Sequence, residues 1–332
     1  MRTLVTGGAG FIGSHLCEAL CARGHEVRAL DDLSTGHRDH LRALAGESRF
    51  RFIEGTATDR DLVAALVDEV DAIFHLAAVV GVKAVLARPA WTIETNLRAT
   101  ETVLAAAARR GCPVFVASSS EVYGKSAQLP FREDADLTLG PTTTARWAYA
   151  CAKANDEFLA LGHWEERRLP VVVGRLFNTA GPRQSGRHGM VLPSFVAQAL
   201  RGDPITVYGD GSQRRCFTHV ADVVRAIVTL VEMPAAYGRV FNIGSDEEIS
   251  MRALAEQVRD AAGSSSAVTL VPYAEAYARG FEDVARRVPD TTRLRTLTGW
   301  RPERGLADIV VDAVASVREA LREPSERFAV CP

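Results

Sequence analysis

The chain has 332 residues, 47% of them hydrophobic and 24% charged, which is enough to bury one large core or two moderate ones and excludes a disordered or fibrous protein. Its formal net charge of −2 supplies no field for nucleic acid or an anionic membrane, while local arginine clusters leave room for a small anionic ligand. The six cysteines (Cys17, Cys21, Cys112, Cys151, Cys216 and Cys331) form no CxxC pair and no cysteine–histidine ligand spacing, so neither a metal site nor a disulfide framework is expected and the thiols read as reduced, in a cytoplasmic protein.

From Met1 the chain enters "RTLVT" (2–6) with no charged leader or long apolar segment, so neither export nor a membrane span is expected. Short apolar runs then alternate with amphipathic segments. A helix over Phe11 to Arg23 is followed by strands at "EVRAL" and "FRFIEG", a helix over Asp61 to Glu69, and a strand at "DAIFHLA". A helix over Trp91 to Arg110, the strand "PVFVASS", a helix opening at "RWAYACAK" and the strand "PVVVGRLFN" complete the alternation. That rhythm predicts βαβ units and an α/β fold, a doubly wound parallel sheet buried on both faces. Beyond Asn178 Pro and Gly become frequent, helices are expected over Leu192 to Arg201 and Val220 to Val231, and "RVFNIGS" reads as one more buried strand. The expected division is a first domain over 1–175, to which 217–245 returns, and a smaller mixed α/β lobe over 176–332.

"TGGAGFIGSHL" places Gly7, Gly10 and Gly13 between the first strand and an amphipathic helix, the setting of a Rossmann dinucleotide fingerprint. Small residues there let backbone N–H groups and the helix N-terminus approach a pyrophosphate; a glycine trio alone also suits any tight strand-to-helix turn. Asp31 ends the second strand, 18 residues beyond Gly13, where a carboxylate accepts both ribose hydroxyls and repels a 2′-phosphate, so NAD is favoured over NADP.

At the other end of the first domain, "SSSEVYG" (118–124) gathers hydroxyls and a carboxylate at the end of the fifth strand. Ser clusters also satisfy loop backbone groups without any chemistry. Tyr149 and Lys153 lie four apart, stacking phenol and ammonium on one helical face. A cation beside a phenol favours phenolate, so a lowered Tyr149 pKa is expected, suited to taking a proton from an alcohol. YxxxK by itself is a frequent accidental pattern. The order of fingerprint, hydroxyls and YxxxK is more specific.

That order resembles the short-chain dehydrogenase/reductase superfamily, and specifically its extended nucleotide-sugar epimerase, dehydratase and decarboxylase group. The likeness runs over nearly the whole length, from "TGGAGFIG" through "GRLFNTAGPRQ" and "YGDGSQRRCFTHVADVV" to "FEDVARRVPD". "SSSEVYG", "RWAYACAK", "QRRCFT" and "RRVPD" are most similar to the UDP-glucuronate decarboxylases. The resemblance implies that Gly7, Gly10, Phe11, Ile12, Gly13, Asp31, Leu76, Ala77, Ala78, Tyr149 and Lys153 bind NAD. It implies that Ser119 meets the sugar's C4 oxygen beside Tyr149 and Lys153, and that Ser120 and Glu121 face C5 and C6. A 4,6-dehydratase carries Asp-Glu where this chain has Ser120-Glu121, and a plain 4-epimerase usually has a small or hydroxyl residue in place of Glu121.

For the UDP-sugar, the resemblance implies Asn178 on the diphosphate, Tyr208 against the uracil, and Arg215 and Arg287 on the diphosphate or the sugar carboxylate. Lys83 is a further candidate, and His75 and His219 read as packed or uncommitted. Two departures stand out: Thr56 occupies a position that is commonly Asp in the family and contacts adenine, and "VVGVK" differs from the usual loop over the sugar. The resemblance also implies a homodimer packed through the helix around Thr95 to Arg110 and the one carrying Tyr149. Three functions are consistent with these residues: UDP-glucuronate decarboxylation, 4-epimerisation of a UDP-hexose or UDP-hexuronate, and regulation by a non-catalytic NAD-binding protein.

Overall fold

The computed structural model describes residues 1–186, 189–276 and 284–322. Among them, seven strands form one parallel sheet in the order Arg239–Ile243, β6 (Val171–Leu176), β5 (Val114–Ser119), β4 (Ala72–His75), β1 (Arg2–Thr6), β2 (Glu26–Asp31) and β3 (Phe50–Glu54). Strand order reverses between β1 and β4, and the crevice beyond the carboxyl ends of the strands at such a switch point is where α/β sheets hold ligands. The central strands are near-continuous apolar runs because both faces are covered. α1 (Phe11–Ala22) and α7 (Val220–Val231) pack on one face around Val5, Leu16, Phe115 and Ile227. α2 (Arg60–Asp68), α4 (Pro89–Arg110) and α5 (Ala148–Arg167) pack on the other around Leu4, Ile73, Val103, Val116 and Val173.

Local signals set several helix ends. The Asp59 carboxylate caps α2 by accepting from the N–H groups of Asp61 and Leu62, and α4 opens with Pro89 and ends at Gly111 in the left-handed region, φ 68°. One short helix, α3 (Val82–Ala87), lies within the segment read from sequence as a loop. Gly81, at φ 103°, turns the chain into it, and the buried Val85 anchors it. The residues before it are held by Asn96 of α4, whose side chain accepts from the Val79 N–H at 2.7 Å and donates to the Val79 carbonyl at 3.2 Å.

A second core joins α6 (Val191–Arg201), α8 (Met251–Ala262) and the helix Leu306–Arg322 around Phe195, Leu254, Ile309 and Val314. Its amphipathic helices α8 and Leu306–Arg322 add to those expected from sequence. Beside it a three-stranded sheet pairs Arg214–Cys216 with Glu248–Ser250 and Arg286–Arg287, and this pairing sets Arg215 and Arg287 side by side. No described helix is long and apolar enough to cross a membrane.

Candidate active site

One cleft of about 1310 Å³ runs across the carboxyl edge of the sheet and under the second lobe. Its first end is built from the β1–α1 turn. Gly7 adopts φ 73°, and a Cβ on it would sit 2.8 Å from the Ala77 nitrogen; a Cβ on Gly13 would sit 2.0 Å from the Gly7 carbonyl oxygen. The turn therefore closes only with glycine at both places. Helix α1 starts at Gly10 with no side chain capping it, so its first-turn N–H groups face the cleft as a diphosphate cradle. Gly7, Gly10, Phe11, Ile12, Gly13, Leu76, Ala77 and Ala78 all line this end.

Asp31 closes it. One carboxylate oxygen accepts from the Ala9 N–H at 3.0 Å and the other from the Leu33 N–H at 2.8 Å, which fixes the group and leaves lone pairs for a vicinal diol. Burial raises its pKa against the pull of those backbone donors, and no cation stands beside it among the groups that shift it. Thr56 also lines the cleft, where its hydroxyl bonds that of Thr58 at 3.0 Å. A glycine cradle, an uncapped helix N-terminus and a fixed carboxylate are the donor and acceptor set that a dinucleotide with a free ribose diol requires, so the residues present fit NAD.

At the other end, β5 passes into a short 3-10 turn, Ser120–Tyr123, whose first N–H groups are capped by Ser119: its hydroxyl accepts from the Glu121 N–H at 3.2 Å. The three serines do different things. Ser118 donates to Glu157 and is part of the packing, Ser119 hydrogen-bonds Tyr149, and Ser120 lines the cleft beside them. Tyr149 and Lys153 reach the same wall from α5.

The charge balance around the phenol differs from the sequence-based expectation. Burial raises the Tyr149 pKa; Lys153 and the Ser119 hydrogen bond pull it down, Glu121 and Asp156 push it further up, and the net direction is upward. An argument from the Tyr149–Lys153 spacing alone gives the opposite sign because it contains neither the burial nor the two carboxylates. For Lys153, burial works against the ammonium, but Asp156, Tyr149 and Glu157 outweigh it and its pKa is raised.

Glu121 is clamped between two arginines. Arg287 donates to one carboxylate oxygen and Arg146 lies 3.1 Å from the other, with both arginine side chains 7% exposed. Burial pushes the carboxyl up, yet the two guanidinium groups outweigh it and hold Glu121 at about 2. It is ionised at neutral pH. Arg287, which the sequence left between diphosphate and sugar carboxylate, thus stands at the Glu121 end.

The second lobe supplies the rest. Arg215, Asn178 and Tyr208 line the cleft; the Asn178 amide donates to the Cys216 carbonyl at 2.9 Å, and an Arg215 nitrogen donates to the Arg214 carbonyl at 2.8 Å. The Lys83 side chain lies outside the described residues. His75 is a packing group: its ring nitrogens meet the hydroxyls of Thr6 at 2.8 Å and Thr100 at 3.1 Å, and burial lowers its pKa to about 3. His219 caps α7 and meets Asp312 at 3.1 Å. Arg146 and Tyr273 are among the cleft residues that escaped the sequence reading. Arg146 was legible only as the residue three before Tyr149 in "RWAY", and Tyr273, which accepts from Gln213 at 3.1 Å, follows a segment with no recognisable motif.

Comparison with known proteins fits this geometry. The chain is 40% identical over 93% of its length to UDP-N-acetyl-alpha-D-glucosaminuronate decarboxylase of Bacillus cytotoxicus, covering 96% of that protein. It is 34% identical over 98% of its length to UDP-glucuronic acid decarboxylase 1 of Arabidopsis thaliana, covering 72% of it. Among solved structures, DesIV (dTDP-glucose 4,6-dehydratase) from Streptomyces venezuelae, with NAD and TYD bound, superposes with a TM-score of 0.87 at 32% identity, covering 96% of this chain and 97% of that one. Residues 3–244 match the model described as the NAD dependent epimerase/dehydratase family, and with the glycine cradle, Asp31 and the Ser119–Tyr149–Lys153 group in one cleft, the chain belongs to that family.

Proposed function

We propose that this protein is a UDP-glucuronate decarboxylase that works through a 4-keto sugar and keeps its NAD bound between turnovers. The observation that carries the reading is Glu121, ionised and clamped by Arg146 and Arg287, on the same wall as the Tyr149–Ser119 pair. In this reading the Tyr149 phenolate, favoured by the Lys153 charge, takes the proton of the C4 hydroxyl, with Ser119 hydrogen-bonded to the same oxygen. NAD held by the Gly7–Gly13 turn and Asp31 would supply the hydride acceptor for C4 and, once reduced, the donor that restores it. The resulting 4-ketone makes the C5 carboxylate that of a β-keto acid, so CO2 leaves with the C5 bond electrons passing into an enolate. Glu121, held at about 2, is a poor acid at neutral pH. Its role is to orient, with Ser120, the water that protonates C5, while Arg287 beside it fixes the departing carboxylate. Arg215 and Asn178 hold the diphosphate and Tyr208 packs the uracil.

A second reading changes only the C2 substituent. The Bacillus cytotoxicus relative, at 40% identity, is named for the 2-acetamido uronate, which offers the same carboxylate to the same clamp. A 4-epimerase is less favoured, because nothing happens at C5 in that reaction and Glu121 with its two arginines would stand idle. The test is incubation with UDP-glucuronate, UDP-N-acetylglucosaminuronate and UDP-glucose in turn. The proposal expects a product lighter by CO2 from UDP-glucuronate; loss of CO2 from the acetamido sugar alone selects the second reading, and isomerisation at constant mass overturns both.

The division into a cofactor domain over 1–175, joined by 217–245, and a substrate lobe over 176–332 belongs to the same proposal, as does a cytoplasmic location, where the free thiols of Cys17, Cys21, Cys112, Cys151 and Cys216 would stay reduced. So does a homodimer through α4 and α5. Phe158 supports it, an aromatic ring 71% exposed on α5. Phe158→Glu is expected to shift sedimentation from dimer to monomer.

A further inference from the structure

Tyr149, Lys153 and Asp156 lie at i, i+4 and i+7 along α5, one stripe of one helical face. The first two line the cleft, and Asp156 stands behind them, outside its lining. The Asp156 side chain is 0% exposed and that of Lys153 4%, with the Lys153 ammonium 3.1 Å from one Asp156 oxygen. The other oxygen, Oδ1, is buried with no hydrogen-bond partner among the described residues. The neighbouring carboxylate shows what a structural acid looks like here: Glu157 takes two Arg175 nitrogens, at 3.0 and 2.7 Å, and the Ser118 hydroxyl. Among the described residues, Asp156 has Lys153 alone. A buried carboxylate so poorly satisfied is a weak source of stability, because desolvation offsets most of the attraction. Its effect falls on the lysine.

We propose that Asp156 is a positioning residue for the C4 chemistry: it anchors the Lys153 ammonium from the side away from the cleft and withdraws part of its charge from the Tyr149 phenol. The other groups facing the pair are accounted for. Ser119 and Glu121 approach Tyr149 from the β5 end, with Glu121 neutralised in turn by Arg146 and Arg287. Glu157 is matched by Arg175, and His75 of β4, near Lys153, is neutral at physiological pH. Asp156 is therefore the carboxylate in direct contact with the lysine whose charge no other described residue balances. The inference rests on Tyr149 being the base, as proposed above, and not on which sugar is decarboxylated.

The test is Asp156→Asn. Because one oxygen already lacks a partner, asparagine can keep its carbonyl toward Lys153 and turn its amide to the empty side, removing charge while preserving placement. In the NAD-loaded protein, phenolate absorbance of the variant minus that of its Tyr149→Phe derivative reads the Tyr149 titration without turnover. The inference expects that titration, and the acidic limb of the kcat/KM pH profile, to move about one pH unit lower than in the native protein. Thermal unfolding and NAD binding establish that the variant is folded; if it is not, Asp156→Ser, smaller and uncharged, carries the same expectation. An unchanged or upward-shifted phenol titration in a folded variant overturns the inference. Absence of decarboxylation with a shifted titration leaves it standing and counts against the sugar assignment alone.

Discussion

The two ends of the cleft each present a carboxylate, Asp31 buried and Glu121 half-buried, and the two are held in opposite ways. Asp31 is fixed by backbone N–H groups within a few residues of the sheet edge, and burial raises its pKa. Glu121 is fixed by guanidinium groups from two other segments, Arg146 and Arg287, and lies at about 2. The cofactor end is local geometry closed by glycine; the sugar end is charge assembled from Arg146 of the first domain and Arg287 of the second lobe. An acceptor for ribose hydroxyls needs no cation, whereas a carboxylate that would share its site with a second one, that of the proposed substrate, needs positive charge around it.

The largest expected effect separates chemistry from either carboxylate. Tyr149→Phe should lower turnover by roughly 10²- to 10⁴-fold while leaving NAD and UDP binding nearly unchanged, as read by steady-state kinetics beside equilibrium binding, because the ring keeps the packing and only the base is lost. Native-like turnover would remove the phenol from the mechanism. Next comes Asp31→Ala, which deletes an anionic acceptor. NAD affinity should fall by roughly 10- to 100-fold and the preference over NADP should narrow, with kcat at saturating NAD little changed.

Glu121→Gln sharpens the comparison from the sugar end. C4 oxidation should persist, but protonation at C5 should slow, so that absorbance of reduced cofactor and a 4-keto sugar build up during turnover. An unchanged time course would reduce Glu121 to a structural carboxylate. The smallest effect is one of acid stability. The folded-state pKa of Glu121 is depressed from its ordinary 4.5 to about 2, so the clamp contributes its full stability above pH 4.5 and loses it as pH falls toward 2. Asp31 has the opposite sign, since its raised pKa makes the ionised form slightly unfavourable to folding. Acid titration of thermal stability should therefore show a loss over that window in the native protein that is smaller in Glu121→Gln.

How much of this was legible in the sequence follows from the same contrast. The alternation of strands and helices, the Gly7–Gly13 turn and the 18-residue step to Asp31 are local patterns whose geometry is dictated within one βαβ unit. The Tyr149–Lys153 stripe was equally legible, because helical spacing alone sets it. Its electrostatics were not: the direction of the Tyr149 pKa depends on burial and on Glu121, 28 residues away in sequence. Arg146 lay in a quoted motif, yet nothing in "RWAY" says that its guanidinium crosses to Glu121. The side-by-side placement of Arg215 and Arg287 needs the parallel pairing of residues 72 apart in sequence. Helix α3 was hidden because its six residues are too few to show a period.

The most direct test of the account is turnover of UDP-glucuronate in D2O followed by NMR. Oxidation, decarboxylation and reduction within one cleft predict a product lighter by CO2 that carries solvent deuterium at C5 and keeps the original hydrogen at C4. A product of unchanged mass inverted at C4, or solvent deuterium at C4 with none at C5, would contradict it.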